Sequence, residues 1–202
     1  MKYSEVTMKG QVDLEIHLLG REEENALFFF VNQTYKHMPI HEPVCCTACG
    51  DHAKTVIEAA VKKKEILVKG SISTKLFEDE HTHRYYHMPL VEVESVELAD
   101  DESEAPELSA NAYGYIFELK RHRDRYGETY YTFLLSENWD LYLDDNWFRC
   151  TAYGETGELL FRAYKADSRK KLRLTGIVLA ARKPSRKGTA HMFVRNVEGV
   201  EE

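Results

Sequence analysis

Val12, Leu14, Ile16 and Leu18 alternate with Asp13, Glu15 and His17, the two-residue period of a strand with one face buried. Residues 25–31 and 129–135 are rich in aromatic and β-branched side chains and also suit strands. Two further strands are expected at 44–49 and 147–153, each stopped by a glycine, Gly50 and Gly154. Behind Gly50 the period changes. Ala53, Val56, Ile57, Ala60 and Val61 recur at i, i+3, i+4, i+7 and i+8, which predicts a short helix that Asp51 can cap. Strands at 66–74 and 84–98 complete the first half, and strands at 171–180 and 190–197 complete the second.

Sliding the chain by 104 residues brings these features into register. Cys46-Thr47-Ala48-Cys49-Gly50-Asp51 falls on Cys150-Thr151-Ala152-Tyr153-Gly154-Glu155, Gly10 on Gly114, and Phe29 on Phe133. Ala53, Val56, Ile57 and Ala60 fall on Gly157, Leu160, Phe161 and Tyr164. After a two-residue insertion Val68-Lys69-Gly70 matches Leu174-Thr175-Gly176, and residues 93–97 match 194–198 after a net deletion. The chain therefore reads as one module written twice, each in the order three strands, one helix, two strands. That is the order of an OB-fold, a partly open five-stranded barrel. The expected class is all-β, two tandem OB-fold five-stranded barrels with one short helix per domain.

Charge divides the chain further. There are 27 basic and 34 acidic residues, net −7, a balance that on its face disfavours a nucleic-acid partner. Yet Glu92, Glu94, Glu97, Asp100, Asp101, Glu102, Glu104 and Glu107 fall in one stretch with no basic residue. Those eight acids exceed the whole deficit. From Ala99 to Glu107 the tract is polar, acidic and broken by Pro106; like charges repel and almost nothing there favours burial, so an exposed linker is expected. The division is 1–98 for the first OB domain, 99–108 for an acidic linker and 109–202 for the second. Between Arg162 and Lys187 ten basic residues face one acid, Asp167. The longest apolar run, Ala26 to Val31, is too short for a membrane span. Four cysteines are too few for a disulfide scaffold, and no secretory signal is read, so a cytoplasmic location is expected.

Several stretches together resemble the bacterial single-stranded DNA-binding protein family. They are Gly50-Asp51-His52-Ala53, then Lys63-Lys64-Glu65-Ile66-Leu67-Val68-Lys69-Gly70, then Ser73-Thr74-Lys75-Leu76-Phe77, and Arg84-Tyr85 followed by residues 91–98. Trp147-Phe148-Arg149-Cys150-Thr151-Ala152-Tyr153-Gly154 is similar to that family's third-strand block, with aromatics seven residues and one residue before the glycine. The resemblance covers most of both modules and implies a two-OB-fold chain that assembles as a homodimer. It implies stacking positions at Trp147, Tyr153 and Phe77, with Pro43 and Cys49 where the second module has Trp147 and Tyr153.

Single strands are bound by a cationic groove that follows the phosphates and by aromatic faces on which bases stack. The expected nucleic-acid contacts are Trp147, Tyr153, Phe77 and Tyr85 for bases, and Arg149, Lys75, Arg84, Arg182, Lys183, Arg186 and Lys187 for phosphates. The last four belong to a Pro- and Gly-punctuated hairpin tip. Lys120-Arg121-His122-Arg123-Asp124-Arg125 reads as a second basic loop, with Tyr126, Tyr130, Tyr131, Trp139 and Tyr142 nearby in sequence. Strand aromatics more often fill a barrel core, and Phe29 and Phe133 are the expected core pair. The expected function is sequence-tolerant single-stranded DNA binding, with RNA as a further partner class, in DNA replication, recombination or repair. Replication or recombination proteins are the expected protein partners. The alternative is an OB-fold interaction or oligomerisation module that has lost nucleic-acid binding in one or both domains.

Cys46 and Cys49, with His37, His41 and His52 nearby, invite a zinc reading. Residues three apart on a strand point to opposite faces, so no metal and no other cofactor is expected. His81, His83 and His87 read as hairpin surface. No Gly-x-Ser-x-Gly, His-Glu-x-x-His, phosphate loop or dinucleotide fingerprint occurs, and Asp144-Asp145 read as turn residues, so no catalytic residue is expected.

Overall fold

A computed structural model describes residues 3–18, 25–31, 33–35, 38–40, 43–78, 82–99, 109–139, 146–180 and 190–199. The first half runs β1 (Ser4–Leu18), β2 (Asn25–Val31), β3 (Gln33–Tyr35), β4 (Met38–Ile40), β5 (Val44–Cys49), α1 (Gly50–Lys62), β6 (Glu65–Glu78) and β7 (Tyr85–Leu98). The second runs β8 (Ser109–Arg123), β9 (Thr129–Ser136), β10 (Trp147–Tyr153), α2 (Gly154–Ala166), β11 (Leu172–Ala180) and β12 (Ala190–Gly199).

Strand pairing closes a ring in each half. β1 pairs with β2, β2 with β5, β5 with β7, β7 with β6, and β6 returns to β1. The second ring is β8, β9, β10, β12, β11 and back to β8. In each ring the strand before the helix pairs in parallel with the last strand, and every other pair is antiparallel. Closure leaves neither sheet with a free edge in its ring. These are two five-stranded barrels in tandem, as the strand order predicts. The β3–β4 hairpin, a separate two-stranded sheet in the first half, has no expected counterpart.

Alternation decides what is buried. On β10, Phe148, Cys150 and Ala152 lie inside, while Trp147, Arg149 and Tyr153 stay half-buried or exposed. Phe133 sits opposite Cys150 in the second barrel, and Phe28 sits opposite Cys46 in the first. Both phenylalanines are buried and Phe29 is not, so the expected Phe29–Phe133 match is one residue out of register.

Each helix covers its barrel with small and aliphatic side chains, Ala53, Val56, Ala59 and Ala60 from α1, Gly157 and Leu160 from α2. Val61, expected on the buried stripe of α1, is exposed. Asp51 does not cap α1. The N-cap is Cys49, and Asp51 sits in the first turn paired to Lys54 at 2.9 Å. Gly50 and Gly154 start the helices at φ of 56° and 52°, a left-handed backbone that favours glycine. The expected basic loop at 120–125 is also corrected. Lys120 to Arg123 belong to β8, and the turn is held by Asp124, whose Oδ1 accepts from the N–H groups of Tyr126 and Glu128 at 2.8 and 2.9 Å.

The barrels are joined by antiparallel pairing of β1 with β8, Ser4 opposite Ala112 and Thr7 opposite Ser109. Val6 lies opposite Ala110, a position 104 residues further on, so a local twofold axis passes between them. Val6 also faces Gly70 on β6, and Ala110 faces Gly176 on β11, which carries the symmetry outward. Tyr3 crosses the junction. Its hydroxyl donates to the Leu135 carbonyl at 2.6 Å, its own carbonyl accepts from Tyr113 N–H at 2.8 Å, and its ring lies 5.4 Å from that of Phe148. Tyr3→Phe keeps the ring but leaves the Leu135 carbonyl without its buried donor, which costs about 1–3 kcal/mol. A urea midpoint equal to that of the unsubstituted chain would show that the tie carries no stability.

Candidate nucleic-acid interface

Register across β8, β9, β10 and β12 sets the outer face of the second barrel in rows. Tyr115, Ser136 and Trp147 form one row, and Phe117, Leu134, Arg149 and His191 the next. Lys120, Thr132, Thr151 and Phe193 follow, and His122, Tyr130 and Tyr153 end the face. The last row is a ladder of rings. His122 stacks on Tyr130 at 4.9 Å and 22°, and Tyr130 on Tyr153 at 5.3 Å and 23°. Tyr153 remains 43% exposed, so the ladder ends in an open aromatic face.

Trp147 and Tyr153, six residues apart on one strand, hold the two ends of the face about 20 Å apart. Between them the face is mixed, with Phe117, Leu134 and Phe193 set among polar groups. His122 Nε2 shares a hydrogen bond with Thr132 Oγ1 at 2.8 Å, and His191 Nε2 shares one with Thr151 Oγ1 at 2.7 Å. Arg149 is the cation in the middle. Beyond the first row, Trp139 lies 5.5 Å from both Tyr115 and Phe117 and under the Arg169 guanidinium at 5.2 Å. Lys171 Nζ stands 5.1 Å over Tyr113 and 5.0 Å over Tyr115. Part of the basic run from 162 to 187 is thus folded against aromatics 30 to 60 residues away in sequence.

The expected residues separate into three groups. Trp147, Arg149 and Tyr153 share the outer face of β10. Phe77, Lys75, Tyr85 and Arg84 lie on or beside the β6–β7 hairpin of the first barrel, where Phe77 stacks on Tyr86 at 6.0 Å and Lys75 pairs with Glu92 at 3.2 Å. Tyr85 and Arg84 are exposed at its far end. Arg182, Lys183, Arg186 and Lys187 fall outside the described residues, as do His37, His41, His81, Tyr142, Asp144 and Asp145. Tyr131 is no surface residue. It is fully buried, and its hydroxyl donates to Glu158 Oε1 at 2.7 Å, with Arg121 on the same carboxylate at 3.1 Å. Burial first, and the Glu158 contact second, raise the Tyr131 phenol above its ordinary range. Tyr115, Phe117, His191 and Phe193 are residues of the face that sequence pattern did not single out, and His122 entered only as part of a basic loop.

The first barrel keeps Thr47 where β10 has Thr151, but it differs at the three positions that carry the rings and the cation. Pro43, just before β5, and Cys45 and Cys49 within it stand where β10 has Trp147, Arg149 and Tyr153. Cys45 is wholly buried, and burial pushes its thiol up to about 12. Burial also raises the thiols of Cys46 and Cys150, which lie inside their barrels. Cys46 and Cys49 do not converge, and among the described residues no group of three or more His, Cys, Asp or Glu is placed to hold a metal ion. Alkylation follows the thiolate and its exposure. At neutral pH iodoacetamide is expected to label Cys49 alone in the folded chain and all four cysteines in urea. Rapid labelling of a second native thiol, read by mass spectrometry, would contradict the buried positions.

Two closed five-stranded barrels, each with one helix between its third and fourth ring strands, define a tandem OB-fold chain. No protein-family model and no curated protein sequence matches it. Two solved structures are similar over nearly their full length. The wild-type single-stranded DNA binding protein from Thermus aquaticus has a TM-score of 0.69 at 13% identity, covering 98% of this chain and 93% of that one. A deletion variant of the same protein has a TM-score of 0.68 at 14% identity, covering 98% and 95%. At these identities the likeness is one of fold, and the fold is the two-barrel architecture of that bacterial protein. No helix among the described residues is long and apolar enough to cross a membrane.

Proposed function

We propose that the chain is a bacterial single-stranded DNA-binding protein of the two-OB-fold kind, and that its second barrel carries the binding face. The observation that supports this most is the outer face of β10. It presents Trp147, Arg149 and Tyr153 on one side, with the ladder of His122, Tyr130 and Tyr153 at one end and the Trp139 cluster at the other. Bases would stack on Trp147 and Tyr153, and Arg149, Arg169 and Lys171 would meet phosphates. Stacking of this kind tolerates any base, so little sequence preference is expected, and RNA would also bind. The basic segment with Arg182, Lys183, Arg186 and Lys187 keeps its proposed role in holding phosphates. Phe77, Tyr85, Lys75 and Arg84 on the hairpin are proposed as outlying contacts.

In this reading residues 1–98 and 109–202 are two domains joined by an acidic linker at 99–108, and two chains form a homodimer presenting four barrels. The process served is DNA replication, recombination or repair in the cytoplasm, with proteins of those processes as partners. No catalytic role is part of it. A second reading applies to the first barrel alone, as an interaction or oligomerisation unit without its own nucleic-acid site. The buried Cys45 in place of an arginine, and Cys49 in place of a tyrosine, favour it.

Anisotropy of labelled oligo-dT, titrated with the full chain at several salt concentrations, tests the main reading. Binding is expected at low salt, with the logarithm of the affinity falling linearly against the logarithm of salt. No binding at low salt, or affinity indifferent to salt, would count against it.

A further inference from the structure

The β6–β7 hairpin belongs to the first barrel but packs on the second, β6 against β10 and β7 against β12. Thr74 Oγ1 donates to the main-chain carbonyl of Trp147, and the His87 ring lies 6.3 Å from the Trp147 indole. Cross-strand register sorts the hairpin into two faces. Thr74 is opposite Pro89, Leu76 opposite His87, and Glu78 opposite Tyr85, so Thr74, Leu76, His87 and Tyr85 share the face that begins at Trp147. Lys75, Phe77, Tyr86 and Met88 share the other, where Phe77 and Tyr86 stack on each other.

The face that begins at Trp147 does not close over. Leu76 is 58% exposed and Tyr85 66% exposed. Large apolar side chains left open in a row from a candidate stacking residue are what a bound strand would cover. We propose that the nucleic-acid site is composite: a strand leaving Trp147 passes onto the first barrel's hairpin, over His87, Leu76 and Tyr85. The first barrel, which lacks aromatics on its own β5, thereby supplies the outermost stacking positions of the second barrel's site. Thr74 is a positioning residue, fixing the main chain of Trp147 where β10 begins. This inference rests on the second-barrel reading above, and the test separates the two.

The test uses the full chain and an oligo-dT series of increasing length, with Tyr153→Ala and the double variant Tyr85→Ala/His87→Ala. Tyr153→Ala is expected to weaken binding at every length. For the double variant the loss is expected to grow with length, from near none to about tenfold once the oligonucleotide reaches past Trp147. Losses from Tyr153→Ala alone, or a hairpin loss that is the same at all lengths, overturn the composite site and leave the second-barrel face standing. If Tyr153→Ala is also silent, both fall. For Thr74→Val in a Trp139→Phe background, the expected result is a shifted emission of Trp147 in the unbound chain. Unchanged emission overturns the positioning role. Tyr85 and His87 are exposed and Thr74 is half-buried, and circular dichroism is the check that each variant is folded.

Discussion

Gly176→Ala is expected to destabilise the chain by roughly 3 kcal/mol or more, and Gly70→Ala by a similar amount. Both glycines sit at a register shift in the last hairpin of their barrel, between Lys69 and Gly70 in one and between Thr175 and Gly176 in the other. The shift brings the partner strand's main chain against the glycine. A Cβ at Gly176 would lie 2.0 Å from the Phe193 carbonyl oxygen, and one at Gly70 would lie 2.1 Å from that of Glu92. The obstacle is paired backbone, which cannot rotate away as a side chain can. Relief therefore means moving β12 or β7 and losing ladder hydrogen bonds on both sides. The requirement here is space. Gly199 supplies the control, since its nearest neighbour would be the flexible end of Lys170 at 3.5 Å. Gly199→Ala is expected to stay within about 0.5 kcal/mol. Urea unfolding separates the cases, and an unshifted midpoint for Gly176→Ala would contradict the bulge geometry.

The largest expected effect on binding is that of Tyr153→Ala. Removing the ring takes away the open end of the ladder and one stacked base, about 1–3 kcal/mol, or about 5- to 150-fold in Kd. No charge is lost, so the salt dependence is expected to keep its slope. Arg149→Ala is expected to do the opposite, weakening all sequences alike and reducing the slope by about one. Cys49→Ala, at the corresponding position of the first barrel, is expected to leave the affinity within about twofold, since no ring is removed. Anisotropy titrations of the three variants settle the matter. Equal losses from Cys49→Ala and Tyr153→Ala would mean that both barrels bind alike.

The strand order and the internal repeat made the two barrels legible in the sequence. Two-residue alternation marked the strand at 12–18, aromatic content and the repeat marked others, and the family resemblance singled out Trp147 and Tyr153. The strand period also put Cys46 and Cys49 on opposite faces. What it could not carry was anything that depends on pairing between strands. His122 reaches Tyr130 because β8 shifts register between Phe117 and Lys120, with Glu118 at a φ of 51°. Without that shift the charged run at 120–123 looks like a loop, because four polar residues in a row hide the alternation. The Phe28–Phe29 error has the same origin, since three consecutive phenylalanines offer no polar position to fix the phase. The seat of the β6–β7 hairpin on Trp147 follows from the β1–β8 pairing between barrels, a contact between segments a hundred residues apart.

The most direct measurement is a fluorescence titration with oligo-dT that follows each tryptophan separately, in Trp139→Phe and Trp147→Phe chains. Trp139 is 39% exposed but has its ring packed against Tyr115, Phe117 and Arg169, whereas Trp147 stands half-buried on the β10 face where that face meets the β6–β7 hairpin. Strong quenching of Trp147 that salt reverses is expected, with a smaller change at Trp139. Oligonucleotide that binds without altering Trp147, or fails to bind at low salt, would contradict it.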